Sequence, residues 1–487
     1  MSTRMFAVLL LVAISVMSPH SGVAAQRDTS AIDRFLTTQL AAQRVPGLAL
    51  AVVHANQVVY LKGYGTAGDG APVTPHTQFF IASVSKSITA LAVIQLAEAH
   101  TIDLDAPVQR YLPDFTLADA DHAARLTVRQ LLNQVSGLAD AGFPEGMLPQ
   151  PATIAERVQS LRDARPVAPP GTEFHYFNPN YAVLARLVEV VSGQPFAEYL
   201  HTHIFTPLEM NRSFAAATSA QAIEQAENLA QGHIVVFGMP LPVREMDGFL
   251  GGSGGVISTA ADMAHFVIAQ LQDGRFKGHS LASPAAFAAM HTPPPYSTSH
   301  YAMGWFAQQE NGTRTVEHNG VLSTFYSEAV LLPDSGYGFV LLANANGATS
   351  AFLGYQQIKR GLIDLLSGKQ PSVSPVTVGR IGVGMGVLTV VGVALALRGL
   401  WRLPRWKQQH GQRSAWRSVP GIVCAFTPGV VLLTLPALLM PLADRAFDHA
   451  TLVRSMPDVV IWLGATGLLG AINGMGRLIW AGQRFVR

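Results

Sequence analysis

Three apolar runs, Ile381–Leu397, Val419–Leu442 and Val459–Gly476, close this 487-residue chain. Each is near the length that crosses a bilayer, and a backbone in hydrocarbon must pair its own polar groups, which commits such a run to helix. They account for much of an unusual composition, with 49% of residues hydrophobic, 13% charged and a mean hydropathy of +0.26. The loop between the first two runs carries Arg398, Arg402, Arg405, Lys407, Arg413 and Arg417 and no acid, whereas the next mixes Asp444, Arg445, Asp448, Arg454 and Asp458. Arg477, Arg484 and Arg487 follow the last run. By the positive-inside rule the first loop and the C-terminus face the cytoplasm, and residues 26–375 lie outside. Trp401, Trp406, Trp416 and Trp480 sit near the segment ends, as interfacial anchors do. Gly382, Gly384 and Gly386 read as helix-packing positions. The runs hold no ionisable side chain except Cys424, which argues against transport.

The other apolar excess is at the start. Arg4, the run Met5–Met17 and Val23-Ala24-Ala25 before Gln26 have the form of a cleavable signal peptide over residues 1–25, in agreement with the loop charges. Residues 26–370 then form an outer domain, and residues 371–380, opening on Pro371-Ser372-Val373-Ser374-Pro375, a linker to the membrane region 381–487. Cys424 is the single cysteine, so the outer domain holds together without a disulfide, and it is large enough to do so.

Within that domain, Ser83 to Glu98 reads as a largely buried helix, with Val84, Ile88, Leu91 and Ile94 at offsets of four, three and three and with Val93 and Leu96 widening the face. Ser83 opens it. A side chain three residues on faces the same way, which brings the Lys86 amine toward the Ser83 hydroxyl at a helix end that favours negative charge. The competing reading is a serine N-cap followed by a surface lysine.

Two later segments offer partners. Tyr176 and Asn178 lie just before a helix starting near Asn180 or Tyr181, and in extended chain they point the same way. A tyrosine beside an ammonium group can have its phenolate favoured and act as a base. The alternative is a helix-entry turn with a buried Tyr and a capping Asn. His318-Asn319-Gly320 follows a short strand, Thr313–Glu317. Gly320 would let a substrate approach the backbone and the Val321 N–H would serve as an oxyanion donor, unless Asn319-Gly320 is simply a hairpin turn.

Other chemistry finds less support. Gly251-Gly252-Ser253-Gly254-Gly255 fits the Gly-x-Ser-x-Gly elbow, but the charged, glycine-bearing residues 244–248 before it are no core strand, so it reads as a flexible loop at the cleft. Sixteen histidines include one close pair, His201 and His203, with no metal-ligand spacing, so neither metal nor other cofactor is expected. A net charge of +2 and the lack of a phosphate loop exclude a nucleic-acid or nucleotide partner.

Ser83-x-x-Lys86, Tyr176-x-Asn178 and His318-x-Gly320, in that order, resemble the three motifs of the penicillin-recognising serine hydrolases, particularly class C β-lactamases and low-molecular-weight D,D-peptidases. Residues 102–115, 126–138, 169–193, 254–266 and 318–344 share the likeness, which covers about residues 30–367. The resemblance implies Ser83 as the acylated nucleophile and Lys86 as the group assisting its deprotonation. It implies Tyr176 as the base that shuttles the proton to the leaving group and activates the deacylating water. Asn178 would bond Lys86 or the substrate amide, and the N–H groups of Ser83 and Val321 would form the oxyanion hole. His318 departs from the Lys-Thr-Gly of class C β-lactamases; a mostly neutral histidine holds a carboxylate less firmly, and His-x-Gly resembles the esterase and D-aminopeptidase members. Asn133-Gln134, where many relatives have Thr-His, is a second departure, with no catalytic meaning assigned.

Strands Leu48–Val53 and Gln57–Lys62, paired around Ala55-Asn56, and later strands 313–317, 325–332 and 337–343 enclose a mainly helical middle, with a helix near 350–367 at the end. The expected fold is α/β in the α+β sense and β-lactamase-like: an antiparallel sheet flanked by helices, a helical subdomain with the cleft at the junction, then three transmembrane helices. The expected protein is a membrane-embedded, extracytoplasmic serine hydrolase acting on small or short-peptide amides or esters, D-amino-acid peptides foremost. A β-lactamase, an esterase or a membrane-linked ligand sensor are the alternatives. The layout is also similar to that of periplasmic peptidases that remove an N-acyl-D-asparagine group from nonribosomal peptide products.

Overall fold

The computed structural model describes residues 29–295, 299–409 and 419–485. The expected signal peptide, and Arg413, Trp416, Arg417 and Arg487, lie outside the described residues.

The first strand, Gly47–His54, lies inside an eight-stranded antiparallel sheet because the chain's last long strand, Tyr337–Ala343, pairs beside it with Leu48 opposite Ala343 and His54 opposite Tyr337. Gln57–Gly68 and Ala71–Pro72 extend the sheet on one side, and Tyr326–Leu332, Thr313–Val321, Trp305–Glu310 and Tyr301–Ala302 complete it on the other. Ala55, at φ +52°, makes the tight reversal of the first hairpin.

The first strand is apolar on both faces, and residue size separates them. Leu48, Leu50 and Val52 pack with Phe35, Leu36, Ile358 and Leu362 of the helices Thr29–Gln43 and Tyr355–Leu366. Ala49, Ala51 and Val53 face the larger core shared with the helical subdomain. Small residues on that face let the helix Ala260–Leu271 lie close; a Cβ at Gly338 would come within 2.7 Å of Val267 Cγ1. Each fully buried Leu or Val stabilises the fold by about 1.5–3 kcal/mol.

Two local expectations change. Residues Ala82–Val84 form a 3₁₀ turn and the α-helix begins at Ser85, with no side-chain cap at its N-terminus, so the N-cap reading of Ser83 fails. Ala82 sits at φ +46°, a left-handed conformation that an alanine adopts only at a cost of about 1–3 kcal/mol. His318, Asn319 and Gly320 lie inside the strand Thr313–Val321, His318 opposite Ala329 and Gly320 opposite Ser327, so Asn319-Gly320 is not a hairpin turn.

Among the described residues after 371 are three helices long and apolar enough to cross a membrane, Val378–Gln408, Val419–Met440 and Pro457–Trp480. The second and third meet through small residues: a Cβ at Gly467 would lie 2.8 Å from Gly429 N, and one at Gly470 would lie 2.1 Å from Ala425 O. The first helix starts at Val378, within the expected linker, and its Gly382 packs on the Phe237-Gly238 backbone rather than on another long helix. Segment 444–456, between the second and third helices, and the first turn of the third helix pack back onto the sheet-bearing part of the chain: Phe237 N donates to Asp458 Oδ1 at 2.6 Å, and Arg454 Nη1 donates to Arg244 O at 2.6 Å.

Candidate active site

The Ser83 turn is wedged between the sheet and the helical subdomain, and Gly320 makes the fit possible. A Cβ there would lie 2.2 Å from Ser327 Oγ, 2.3 Å from Ile81 O and 3.0 Å from Ala82 Cβ. Ser327 Oγ also donates to Ile81 O at 2.6 Å, tying the strand to the turn. The missing side chain of Gly320 thus accommodates the Ser83 turn. Gly320→Ala is expected to cost about 1–3 kcal/mol through overpacking and to displace Ser83, lowering both the thermal midpoint and turnover. An unchanged midpoint would show that the turn does not rest on this strand.

Lys86 is fully buried. Its Nζ lies 3.1 Å from Ser83 Oγ, 2.9 Å from Asn178 Oδ1 and 2.8 Å from the Ser253 carbonyl. The Tyr176 and Tyr181 rings lie 4.8 and 5.7 Å away. Burial, helped by the Arg445 charge and opposed by Glu145, holds the amine well below the usual lysine range. The Tyr176 phenol faces Ser83 and is pushed up to about 12, chiefly by burial, with Ser83 and Arg445 pulling the other way. The expectation of a favoured phenolate is thus reversed: desolvation outweighs the neighbouring charge.

His318 is buried against Tyr176, Tyr301 and Phe306, with ring centroids 6.1, 6.0 and 5.5 Å away. Its Nδ1 lies 2.7 Å from the Asn319 carbonyl, which can only accept, so Nδ1 carries the proton. Burial and Lys86 lower its pKa to about 3, leaving a neutral ring whose Nε2 has no partner among the described residues. No cation stands at this position. Val321 is exposed at the strand end, and the turn that follows is held by Glu245, which accepts from Ser323 N, Ser323 Oγ, Thr324 N and Thr324 Oγ1 at 2.5 to 3.3 Å.

Several supporting residues were not legible in the sequence. Gln134, at φ +57°, accepts from His175 N through its backbone carbonyl, and from Phe177 N and Asn180 Nδ2 through its side-chain oxygen. It thereby shapes the irregular segment that carries Tyr176, although position 134 had been given no role. Glu145 accepts from Asn178 Nδ2 at 2.8 Å and so orients the Asn178 oxygen toward Lys86. The Gly251–Gly255 stretch is a buried loop, and Ser253 serves through its carbonyl; its hydroxyl turns to Leu250 O at 3.4 Å. His201 and His203 sit in a π-helical turn, and among the described residues no three His, Cys, Asp or Glu side chains are grouped to hold a metal ion.

The family model for beta-lactamases matches residues 32–362 of this chain. The chain belongs to the beta-lactamase family. Penicillin-binding protein 4 of Amycolatopsis lactamdurans is 31% identical over 348 residues, 68% of this chain and 88% of that protein. The unguisins hydrolase ungD' of Aspergillus campestris is 28% identical over 320 residues, 62% of this chain and 58% of that protein. The octameric penicillin-binding protein homologue of Pyrococcus abyssi superimposes with a TM-score of 0.60 at 27% identity, covering 71% of this chain and 78% of that one. SurE, solved with D-Leu, shares the fold at a TM-score of 0.57 and 22% identity, over 72% of this chain and 78% of that one. This beta-lactamase-family protein is accordingly a serine hydrolase with the β-lactamase-like fold of antiparallel sheet and helices.

Proposed function

We propose that the protein is a membrane-anchored, extracytoplasmic hydrolase that forms an acyl-enzyme on Ser83 and releases it to water. The observation that carries this reading is the coordination of Lys86. A neutral amine has two N–H donors and one lone pair. Asn178 Oδ1 and the Ser253 carbonyl, both acceptors, take the two donors and leave the lone pair toward Ser83 Oγ at 3.1 Å. Ser83 then gives its proton to Lys86 as its oxygen attacks the carbonyl carbon. Tyr176, protonated below about pH 12, faces Ser83 and is placed to pass a proton to the departing amine or alcohol. Lys86 is thus the base of acylation and Tyr176 the proton carrier, with the N–H groups of Ser83 and Val321 as the oxyanion donors.

For the substrate, amides or esters of D-amino-acid peptides fit best. The neutral, buried His318 offers no charge to a substrate carboxylate, which weighs against β-lactam hydrolysis as the main activity. The relative named unguisins hydrolase supports hydrolysis as the activity, and the one named penicillin-binding protein 4 is consistent with a penicillin-recognising site. The segment 444–458 packs on the hydrolase domain, which supports placing that loop and the domain on one side of the membrane, as the loop charges require.

Turnover of D-alanyl peptides, N-acyl-D-asparagine amides, nitrocefin and short p-nitrophenyl esters by the full-length protein tests this order. The peptide amides should lead nitrocefin in kcat/KM; nitrocefin leading would reverse the assignment. Tyr176→Phe is expected to lower turnover by roughly 10²-fold or more while the protein folds normally. Near-native turnover in that variant would remove Tyr176 from the mechanism.

A further inference from the structure

The loop between the second and third apolar helices reaches the catalytic tyrosine. Arg445 Nη1 donates to the Tyr176 carbonyl at 3.4 Å, and its guanidinium carbon lies 5.9 Å from the Tyr176 ring centroid. Arg445 Nε lies 3.5 Å from the buried Asp140 Oδ2, to which Ala446 N also donates at 3.0 Å. One residue earlier, Asp444 Oδ2 lies 2.7 Å from His175 Nδ1. Three consecutive loop residues therefore grip the Tyr176 segment and the wall facing it.

We propose that Asp444-Arg445-Ala446 is a wall of the active site, and that Arg445 is a positioning residue that holds Tyr176 on Ser83 and keeps a fixed positive charge beside the Tyr176–Ser83–Lys86 relay. The inference rests on the reading of Tyr176 as the proton carrier. Residues 173–177 have no regular secondary structure. Gln134 fixes this segment from the helical subdomain, and the loop fixes it from the other side, so neither anchor alone determines where the phenol points. Arg445 is charged at every working pH. The groups facing Tyr176 are Ser83, Lys86, Glu145, Arg445, Tyr301 and His318; those facing Arg445 are Asp140, Glu145, Asp444 and Tyr176. Among them Arg445 lowers the pKa of both Lys86 and Tyr176, and Glu145 opposes it. Asp140, pushed up to about 6 by burial, is ionised and able to pair with Arg445 above that pH.

A device that only tethers the domain to the helices would not move a pH profile. Full-length protein in detergent or nanodiscs, carrying Arg445→Gln, Arg445→Lys or Asp140→Asn, is assayed for kcat/KM from pH 5 to 9, with thermal midpoints alongside. Arg445→Gln is expected to lose about 10- to 10²-fold in kcat/KM, the scale of a misplaced catalytic group. The acidic limb should move up by about half a pH unit or more, because Lys86 loses the charge that keeps it neutral. Arg445→Lys should recover the pH shift but only part of the rate, and Asp140→Asn should lower the rate by releasing Arg445. A profile for Arg445→Gln that superimposes on the wild type, whatever its midpoint, overturns the proposal. If Arg445→Gln does not fold, Asp444→Asn is measured instead, with the same reduced rate expected and an unchanged rate counting against the loop. Labelling of Ser83 by a fluorophosphonate separates the two levels: no label on the wild type sinks the hydrolase mechanism itself, whereas a labelled wild type with an unmoved profile sinks only this inference.

Discussion

Ser83→Ala is expected to lower kcat/KM by roughly 10⁴-fold or more while leaving the fold intact, on the scale seen when a nucleophile is removed from a serine hydrolase. The Ser83 hydroxyl lies 3.1 Å from Lys86 Nζ and faces the Tyr176 phenol. The other candidate, Ser253, contributes a carbonyl to Lys86 and turns its hydroxyl to Leu250 O, so it has no base to activate it. Because Ser83 caps no helix, the variant should lose little stability. Steady-state hydrolysis of a p-nitrophenyl ester or a D-alanyl peptide, with a thermal melt as control, decides the matter. Activity within tenfold of the wild type would place the nucleophile elsewhere.

Lys86→Met should be nearly as damaging, by roughly 10³-fold or more, since it deletes the acylation base but keeps the apolar stem. Its effect on stability has opposing parts. Removing a buried amine relieves desolvation, while Asn178 Oδ1 and the Ser253 carbonyl each lose a partner at about 1–3 kcal/mol. The pH dependence has a definite sign. Burial depresses the Lys86 pKa in the folded protein below 10.5, so the unfolded chain binds the extra proton and wild-type stability rises with pH in the interval between the two values. The methionine variant lacks this term. Relative to the wild type it should therefore be most stable at low pH, a comparison open to thermal unfolding at pH 6 and pH 9. A stability difference independent of pH would mean that Lys86 stays protonated when buried. In the wild type the same titration should make activity fall as the pH drops through the Lys86 pKa.

The sheet and the order of the three motifs were readable because they rest on local signals. Short apolar runs bounded by turn residues mark the strands around Leu50 and Val330, and three-residue spacing brings Lys86 to Ser83. What escaped depended on pairs far apart in sequence. Gln134 reaches across 43 residues to Phe177 N, Glu145 meets Asn178 across 33, and Arg445 meets Tyr176 across 269. No periodicity records such contacts. The Asn319-Gly320 dipeptide misled in the turn reading for a related reason: its turn propensity is local, whereas pairing with Ser327 and the approach of the Ile81-Ala82 backbone hold it extended. The protonation state of Tyr176 was also out of reach, since a nearby lysine suggests a phenolate until burial is known to dominate.

The central claim is a covalent acyl-enzyme on Ser83, and mass spectrometry of the full-length protein after exposure to a fluorophosphonate or to penicillin tests it most directly. A single adduct on the peptide containing Ser83, absent from Ser83→Ala and slowed in Lys86→Met, is the predicted result. A wild-type protein that acquires no adduct on Ser83 from either reagent, or that is labelled on Ser253 instead, would contradict it.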